Sequence, residues 1–287
     1  MKTRPLGNTG LRVSELCMGC WEIGGLFWGP MDVTDAQRLL NLAFDAGVNT
    51  YDLADVYGNG RSECLVGRTM RDRRKDLVIV TKAGYLPGAD SVQGLYEIQV
   101  QCHESRYVQW CCEMSLRRLE TDYIDVFLLH DPPLDLLRRD RVWNALHKLK
   151  DQGKIRFFGA STSPQSAPLA IAAGAEVIEV PFNLLTRGPA TDVLPPAAEK
   201  GVGVLARSPF ASGRLHAKGK DAPGNDFRFL VKKGRPLTDA AIKYVLSHGV
   251  SSVVAGLMKK SDLSKNIRAC QRPLLNRQEL RRIAEMG

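Results

Sequence analysis

The chain has 287 residues, of which 44% are hydrophobic and 25% charged, and this composition is typical of a globular protein of one barrel or two average domains. No run approaches the roughly 18 apolar residues of a membrane helix, and the polar N-terminus lacks a signal-peptide core, so we predict a cytoplasmic protein that uses no membrane. The net charge of +9 does not indicate nucleic-acid binding, because the basic clusters are short, interrupted by acids and not interleaved with aromatic residues.

Short apolar runs alternate with amphipathic stretches along the whole chain. A hairpin over residues 5–13 is predicted first, as a cap on the bottom of a barrel. Predicted strands then cover residues 16–20, 48–51, 77–81, 124–129, 155–160, 177–180, 202–206 and 251–255. Predicted helices cover residues 32–46, 62–70, 107–119, 138–152, 165–173, 191–200, 237–248, 262–270 and 277–286. Eight strands alternating with helices predict one (β/α)8 TIM-barrel domain over residues 1–287.

Two long segments interrupt this alternation. Residues 83–105 are irregular, and we interpret them as part of a rim loop. Residues 212–235 are rich in Gly, Lys and Asp, a composition that predicts a long mobile loop. Long loops in compact domains are often functional lids.

The seven cysteines are an odd number without a secretory signal, which predicts free thiols. Cys17 and Cys20 have C-x-x-C spacing, but they fall in a predicted strand, where residues three apart point to opposite faces. Cys102 and His103 have no second pair at ligand spacing. We therefore predict no metal site.

Four polar residues of complementary chemistry, Asp52, Tyr57, Lys82 and His130, stand at or just beyond the ends of predicted strands. The strand ends of such a barrel open onto one face, so these side chains are predicted to converge there. A nearby ammonium lowers the pKa of a phenol and makes it a better general acid, which gives Lys82 a role beside Tyr57. Asp52 is expected to hold Lys82 charged, and His130 to orient a carbonyl oxygen.

These residues and the phrases around them resemble the aldo-keto reductase superfamily, with the short C-terminus of its bacterial and plant-type members. The resemblance extends over nearly the whole chain and includes the segments 52–58, 81–82, 115–119, 121–125, 128–130, 159–161 and 181–185. It implies a nicotinamide cofactor across the top of the barrel and hydride transfer to an aldehyde, ketone or sugar carbonyl. In that reaction Tyr57 donates the proton, Lys82 and Asp52 tune it, and His130 positions the substrate.

The resemblance also implies which residues contact the ligands. No G-x-G-x-x-G motif opens a first βαβ unit, so the cofactor phosphates are expected after strands seven and eight. Substrate contacts are assigned to Trp21, Phe27, Trp28 and Tyr85. Cofactor contacts are assigned to Cys20, Trp21, Ser161, Thr162, Glu179, Arg207, Ser208, Phe210, Ser212, Gly213, Gly256, Lys259, Lys260, Asp262 and Asn266.

Several of these positions depart from the family pattern. Thr162 replaces an asparagine that normally helps to hold the carboxamide, and Glu179 replaces a glutamine; a glutamate accepts the amide N–H but cannot donate when ionised. Arg207 replaces a stacking tyrosine, and its planar guanidinium can also stack. Met258 replaces an arginine expected near the adenosine 2′-phosphate, a role left to Lys259 and Lys260. NADPH is expected as cofactor in preference to NADH.

The sequence supports more than one function. The first is carbonyl reduction, or the reverse oxidation with the same residues. The second is a redox-sensing subunit that keeps its cofactor pocket. The third is elimination or epimerisation with a tightly held cofactor. The substrate and the oligomeric state do not follow from the sequence.

Overall fold

A computed structural model describes residues 1–25, 29, 31–86, 100–217, 227–232 and 234–286. Within these residues eight parallel strands form a closed barrel, in which the last strand pairs with the first and all others pair in chain order. An antiparallel hairpin precedes them. The predicted (β/α)8 barrel and its hairpin are therefore confirmed.

The hairpin strands are β1 (Thr3–Pro5) and β2 (Arg12–Ser14). The barrel strands are β3 (Leu16–Gly19), β4 (Thr50–Asp52), β5 (Val78–Ala83), β6 (Ile124–His130), β7 (Ile155–Ser161), β8 (Val177–Pro181), β9 (Gly203–Arg207) and β10 (Ser252–Gly256). The sequence thus located all eight, and every strand begins and ends within two residues of its predicted bounds.

The helices are α1 (Trp21–Gly24), α2 (Val33–Asp45), α3 (Arg61–Met70), α4 (Ser105–Leu119), α5 (Leu134–Leu137), α6 (Asp140–Asp151), α7 (Ala167–Ala172), α8 (Pro189–Asp192), α9 (Leu194–Lys200), α10 (Arg214–Ala217), α11 (Leu237–Ser247), α12 (Lys260–Gln271) and α13 (Arg277–Ala284). 3₁₀ turns cover Arg71–Asp76, Ala211–Gly213 and Phe227–Leu230. Among the described residues, none of these helices is both long and apolar enough to cross a bilayer.

The interpretation of residues 212–235 as one long loop is partly wrong. The described part of that segment includes α10 and the 3₁₀ turn Phe227–Leu230, in which Phe227 and Leu230 are buried. These two apolar side chains pack into the main core, which explains why a segment of polar composition takes local helical structure.

Two apolar cores follow from the alternation of side chains along the strands. Residues such as Val80, Leu128 and Leu205 point into the barrel, while their neighbours Ile79, Phe127 and Ala206 pack under the helices. The hairpin residues Leu6, Leu11 and Val13 join the inner core. The hairpin therefore closes the bottom of the barrel, as its sequence predicted.

Candidate active site

The strand alternation continues past the inner core and places polar residues on the same inward face. Val80 is followed two residues on by Lys82, Leu128 by His130, and Leu205 by Arg207. Neighbouring strands add further members in register, since Ser161 pairs with both His130 and Glu179. The uppermost layer of the barrel interior is thus polar and consists of Asp52, Lys82, His130, Ser161, Glu179 and Arg207. We call it the polar layer.

Lys82 is the centre of this layer and is completely buried. Its ammonium donates to a carboxylate oxygen of Asp52 and, at 2.9 Å, to the backbone oxygen of Leu53. The hydroxyl of Tyr57 lies 3.4 Å from the same nitrogen. Burial by itself lowers the pKa of Lys82, but the charges of Asp52 and Glu179 outweigh it and raise that pKa well above its usual value. The structure therefore brings Asp52, Tyr57 and Lys82 together, and Lys82 is charged in this position.

Tyr57 is held in place by backbone contacts of its loop. Gly58, at φ +62°, packs so closely on α1 that a Cβ atom there would lie 2.2 Å from the carbonyl oxygen of Gly24. Ser62 adds two hydrogen bonds, from its backbone N–H to the carbonyl of Tyr57 at 3.2 Å and from its hydroxyl to Cys20 at 2.9 Å. Gly58 combines a conformation that disfavours side chains with a contact that excludes them, and so fixes Tyr57 next to Lys82.

The phenol of Tyr57 remains protonated in this setting. Burial raises the pKa of Tyr57, and Lys82 offsets this only in part because the charges of Asp52 and Glu179 also raise it. The direction is opposite to the lowering expected from Lys82 alone. A protonated phenol beside an ammonium is nevertheless suited to give a proton to an oxygen that gains negative charge.

His130 completes the group of four. Its ring lies edge-on to both Tyr57 and Tyr85, with ring centroids 6.1 Å and 4.8 Å away. Burial, followed by the charges of Lys82 and Arg207, lowers the pKa of His130 well below its usual value. The imidazole is therefore neutral at physiological pH and can donate one hydrogen bond to a carbonyl oxygen.

His103 contacts the backbone of His130, although its sequence context predicted no role for it. It is buried, and its Nε2 lies 3.1 Å from the backbone oxygen of His130. The available sequence signal is its place beside Cys102, a pair with no second pair at metal-ligand spacing. Within the described residues no group of His, Cys, Asp and Glu has the arrangement of a metal site.

Glu179 introduces a second buried carboxylate into the polar layer. Its Oε1 accepts a hydrogen bond from the hydroxyl of Ser161 at 2.9 Å and lies 3.6 Å from the Lys82 ammonium. Its Oε2 is buried without a hydrogen-bond partner among the described residues. Arg207 approaches Oε1 to 3.9 Å with its Nε, which is likewise buried and unpartnered. Among the described residues, the mouth of the barrel thus has one acceptor atom, Glu179 Oε2, and one donor atom, Arg207 Nε, with unused hydrogen-bonding capacity.

Asp131 shares Arg207 with Glu179 and is a second residue that the sequence analysis missed. One Asp131 oxygen lies 3.5 Å from the Arg207 guanidinium, and the other accepts from the Tyr85 hydroxyl at 3.2 Å. Asp131 has φ +44°, a conformation unusual for a residue other than glycine. Its position directly after His130 was the available sequence signal.

The loop after β9 carries four residues assigned to the cofactor. Ser208 and Ser212 have left-handed backbone conformations, as does Ala211 between them, with φ between +50° and +57°. Asn183 donates from its amide to the Ser208 backbone oxygen at 2.9 Å and fixes the start of the loop. Such clusters of left-handed residues turn backbone N–H groups toward one point and often bind anions. The predicted members are Ser208, Phe210, Ser212 and Gly213.

The loop after β10 leads to the N-terminus of α12. Lys259 occupies the N-cap position and makes no side-chain capping bond to this twelve-residue helix. Lys259 and Lys260 are exposed, Asp262 is half-buried and Asn266 is buried. Gly256 lies against Glu22, a third residue missed from the sequence: a Cβ atom at Gly256 would be 1.8 Å from a Glu22 carboxylate oxygen.

The remaining predicted residues occupy varied positions. The Cys20 thiol is buried and donates to the Met18 backbone oxygen at 3.4 Å. Trp21 is 40% exposed, and its ring lies 6.4 Å from that of Tyr57, whereas Thr162 is buried. Phe27 and Trp28 lie outside the described residues.

Comparisons with known proteins bear on this site. The family model described as "Aldo/keto reductase family" matches residues 15–287. The holo form of aldo-keto reductase AKR11C1 from Bacillus halodurans superposes with a TM-score of 0.84 and 31% identity, covering 100% of this chain and 96% of that one.

Two sequence relatives carry different names. L-galactose dehydrogenase of Arabidopsis thaliana is 30% identical over 94% of this chain and 88% of its own length. A probable voltage-gated potassium channel subunit beta of Oryza sativa subsp. japonica is 31% identical over 94% of this chain and 91% of its own. With a family model that spans nearly all of the sequence, a barrel of the matching fold and a polar layer at its mouth, the chain belongs to the aldo/keto reductase family of NAD(P)H-using oxidoreductases that act on carbonyl compounds.

Proposed function

We propose that this protein transfers a hydride between NADPH and the carbonyl carbon of an aldehyde, ketone or sugar, with Tyr57 as the proton donor. The observation that carries the proposal is the contact between the Tyr57 hydroxyl and the Lys82 ammonium at 3.4 Å. Both groups lie at the mouth of the barrel, where the ion pair with Asp52 keeps Lys82 charged. A pure binding protein has no need of this arrangement.

The proposed mechanism assigns the oxygen of the substrate to the space between Tyr57 and His130. The neutral imidazole of His130 donates a hydrogen bond that orients the carbonyl, and Tyr57 gives its proton as negative charge develops on that oxygen. Lys82 stabilises the resulting phenolate through its charge, and Asp52 keeps Lys82 from turning away. When bound, the nicotinamide nucleotide supplies the hydride.

The residues at the mouth suit a nicotinamide nucleotide. The unpartnered oxygen of Glu179 is an acceptor for an amide N–H, and the guanidinium of Arg207 is flat enough to stack on a ring. The left-handed loop after β9 and the uncapped start of α12 offer backbone N–H groups to phosphates. Exposed Lys259 and Lys260 supply cations for a 2′-phosphate in place of the arginine that Met258 replaces, which favours NADPH over NADH.

The relatives suggest two variants of this function. The name of the L-galactose dehydrogenase supports a sugar or sugar-like alcohol as substrate, with the reaction running toward oxidation. The name of the potassium channel subunit supports a role as a subunit that acts on a partner protein, which is compatible with the redox-sensing alternative. Turnover separates the two, since a sensor need not exchange its cofactor rapidly.

The test compares Tyr57→Phe with Tyr123→Phe. Both remove one phenol hydroxyl, but Tyr123 immediately precedes β6 and so lies at the opposite end of the barrel. NADPH and NADH are titrated calorimetrically, and oxidation of each is then followed by absorbance with a panel of aldehydes and sugars. We expect Tyr57→Phe to bind NADPH like the native protein and to lose about 10²- to 10⁴-fold in turnover, while Tyr123→Phe remains active.

Reduction at the native rate by Tyr57→Phe would show that the proton donor is wrongly assigned. Binding of NADPH without turnover by the native protein would favour the sensing role. Tighter binding of NADH than of NADPH would overturn the cofactor preference and leave the remainder intact.

A further inference from the structure

The polar layer and the neighbouring Asp131 together contain more acidic side chains than cations. Lys82 and Arg207 are the two cations, whereas Asp52, Glu179 and Asp131 are three acidic side chains, and His130 is neutral. Arg207 is divided between two carboxylates at 3.5 and 3.9 Å. Asp131 and Arg207 are also about one-third exposed, so water screens them, while Asp52, Lys82 and Glu179 are almost completely buried. The buried part alone has two acidic side chains for one ammonium.

Glu179 is the buried acid that is not bonded directly to Lys82. This residue is 1% exposed, and its Oε2 has no hydrogen-bond partner among the described residues. Ser161 has already committed its hydroxyl hydrogen to Oε1. A buried carboxylate of this kind is costly unless a cation or a donor approaches it, so Glu179 favours any ligand that brings positive charge close to the barrel axis.

A nicotinamide ring is such a ligand in only one of its redox states. The oxidised ring is a cation, and the reduced ring is neutral. To exchange a hydride with a carbonyl carbon held by Tyr57 and His130, the ring must lie beside the polar layer. The charge balance then differs between the two states, because only the oxidised ring supplies the cation that the second buried carboxylate lacks.

We propose that Glu179 makes this barrel bind the oxidised nicotinamide nucleotide more tightly than the reduced one. This inference rests on the proposed function and adds to it a selectivity for the redox state of the cofactor.

Arg207 provides a variant of opposite sign. It is the cation nearest to Glu179 on the solvent side, so its removal exposes the full charge of the carboxylate to the ring. Arg207→Gln is therefore expected to shift the ratio of dissociation constants further toward the oxidised form, even if loss of stacking weakens the binding of both forms. Glu179→Gln shifts the same ratio toward the reduced form.

The experiment is calorimetric titration of the full chain with NADP⁺ and NADPH, and with NAD⁺ and NADH. The variants are Glu179→Gln, Arg207→Gln and, as a control, Glu176→Gln. Glu176 lies at the opposite end of β8, where it binds Lys150 at 2.5 Å, and its substitution changes net charge by the same amount. We expect the native protein to prefer the oxidised form, Glu179→Gln to reduce that preference about tenfold or more, and Glu176→Gln to leave it unchanged.

An unchanged ratio in Glu179→Gln, with both forms still bound, would overturn the inference while the proposed function stands. A shift of equal size in Glu176→Gln would also overturn it, since net charge would then be the cause. Failure of the native protein to bind any of the four nucleotides would refute the proposed function and the inference together. If Glu179→Gln fails to fold, the ratio of dissociation constants in Arg207→Gln is the test. A shift of that ratio toward the oxidised form supports the inference, and an unchanged ratio overturns it.

Discussion

The ammonium of Lys82 on β5 and a carboxylate oxygen of Glu179 on β8 are 3.6 Å apart, although two other strands separate them around the barrel. Lys82 therefore faces two carboxylates rather than one, with Asp52 bonded directly to it. This three-residue cluster differs from an isolated ion pair, because burial, followed by the charge of Glu179, raises the pKa of Asp52.

Loss of the Lys82 charge is expected to destabilise the fold as well as abolish turnover. Lys82→Met leaves two buried carboxylates without their cation, at a cost of about 3–5 kcal/mol in the free energy of unfolding at pH 7. Adding Asp52→Asn to Lys82→Met is expected to restore part of that stability and none of the activity. Urea denaturation and turnover measurements provide the check.

Lys150→Met is the matched control for that experiment. Lys150 also forms a lysine–glutamate pair, with Glu176, but both side chains are about one-third exposed. Loss of the Lys150–Glu176 pair should lower the free energy of unfolding by no more than about 1 kcal/mol. Equal destabilisation by the two lysine variants would contradict the importance that we assign to burial.

The pH profile of turnover should lack a histidine inflection. Because the pKa of His130 lies well below its usual value, the imidazole is neutral throughout the range from about pH 6 to 8. The kcat/KM for carbonyl reduction is therefore expected to be flat there. His130→Gln keeps a hydrogen-bond donor and should lower the rate without changing that shape. An inflection near pH 6.5 that disappears in His130→Gln would contradict a neutral His130.

Asp55→Asn is expected to stabilise the protein at alkaline pH. Burial, followed by the charge of Glu63, raises the pKa of Asp55 to about 7, and its Oδ1 has no hydrogen-bond partner among the described residues. The unfolded chain releases this proton near pH 4, so native Asp55 costs stability progressively as pH rises from about 4 to 7.

Urea denaturation at pH 4 and pH 8 checks this difference. The increase in the free energy of unfolding caused by Asp55→Asn should be present at pH 8 and absent at pH 4. Asp135→Asn is the control, because Asp135 is exposed and pairs with Arg139 on the surface. A gain of the same size at both pH values would show that Asp55 does not titrate as stated.

Glu279→Gln should behave in the opposite way. Burial opposes ionisation, but hydrogen bonds from Arg235 and Lys232 lower the pKa of Glu279 to about 2. The carboxylate also completes a capping box with Asn276 at the start of α13. Its stabilisation is present above about pH 4.5 and is lost as pH falls toward 2.

Thermal unfolding of Glu279→Gln across this range is the measurement. We expect a loss of about 1–3 kcal/mol at pH 7 that shrinks as the pH is lowered. A loss that does not depend on pH would indicate that packing, rather than the charge of Glu279, supports this corner of the fold.

The barrel itself followed from sequence because its determinants are local. Alternating apolar residues and β-branched runs specify strands, and amphipathic periods specify helices, whatever lies across the barrel. The same alternation determined that Lys82, His130 and Glu179 share the inward face with Val80, Leu128 and Val177. A common location for the polar residues Asp52, Tyr57, Lys82 and His130 could therefore be predicted without a structure.

Distances around the barrel were decided only by the tertiary structure. Closure of eight strands brings Glu179 to Lys82 and Arg207, and it brings His103 to the backbone of His130, across separations in sequence that no periodicity encodes. The direction of the Tyr57 pKa shift was likewise inaccessible, because it depends on burial and on a carboxylate contributed by a distant strand. Local pattern determined which groups enter the site, and packing determined their charges.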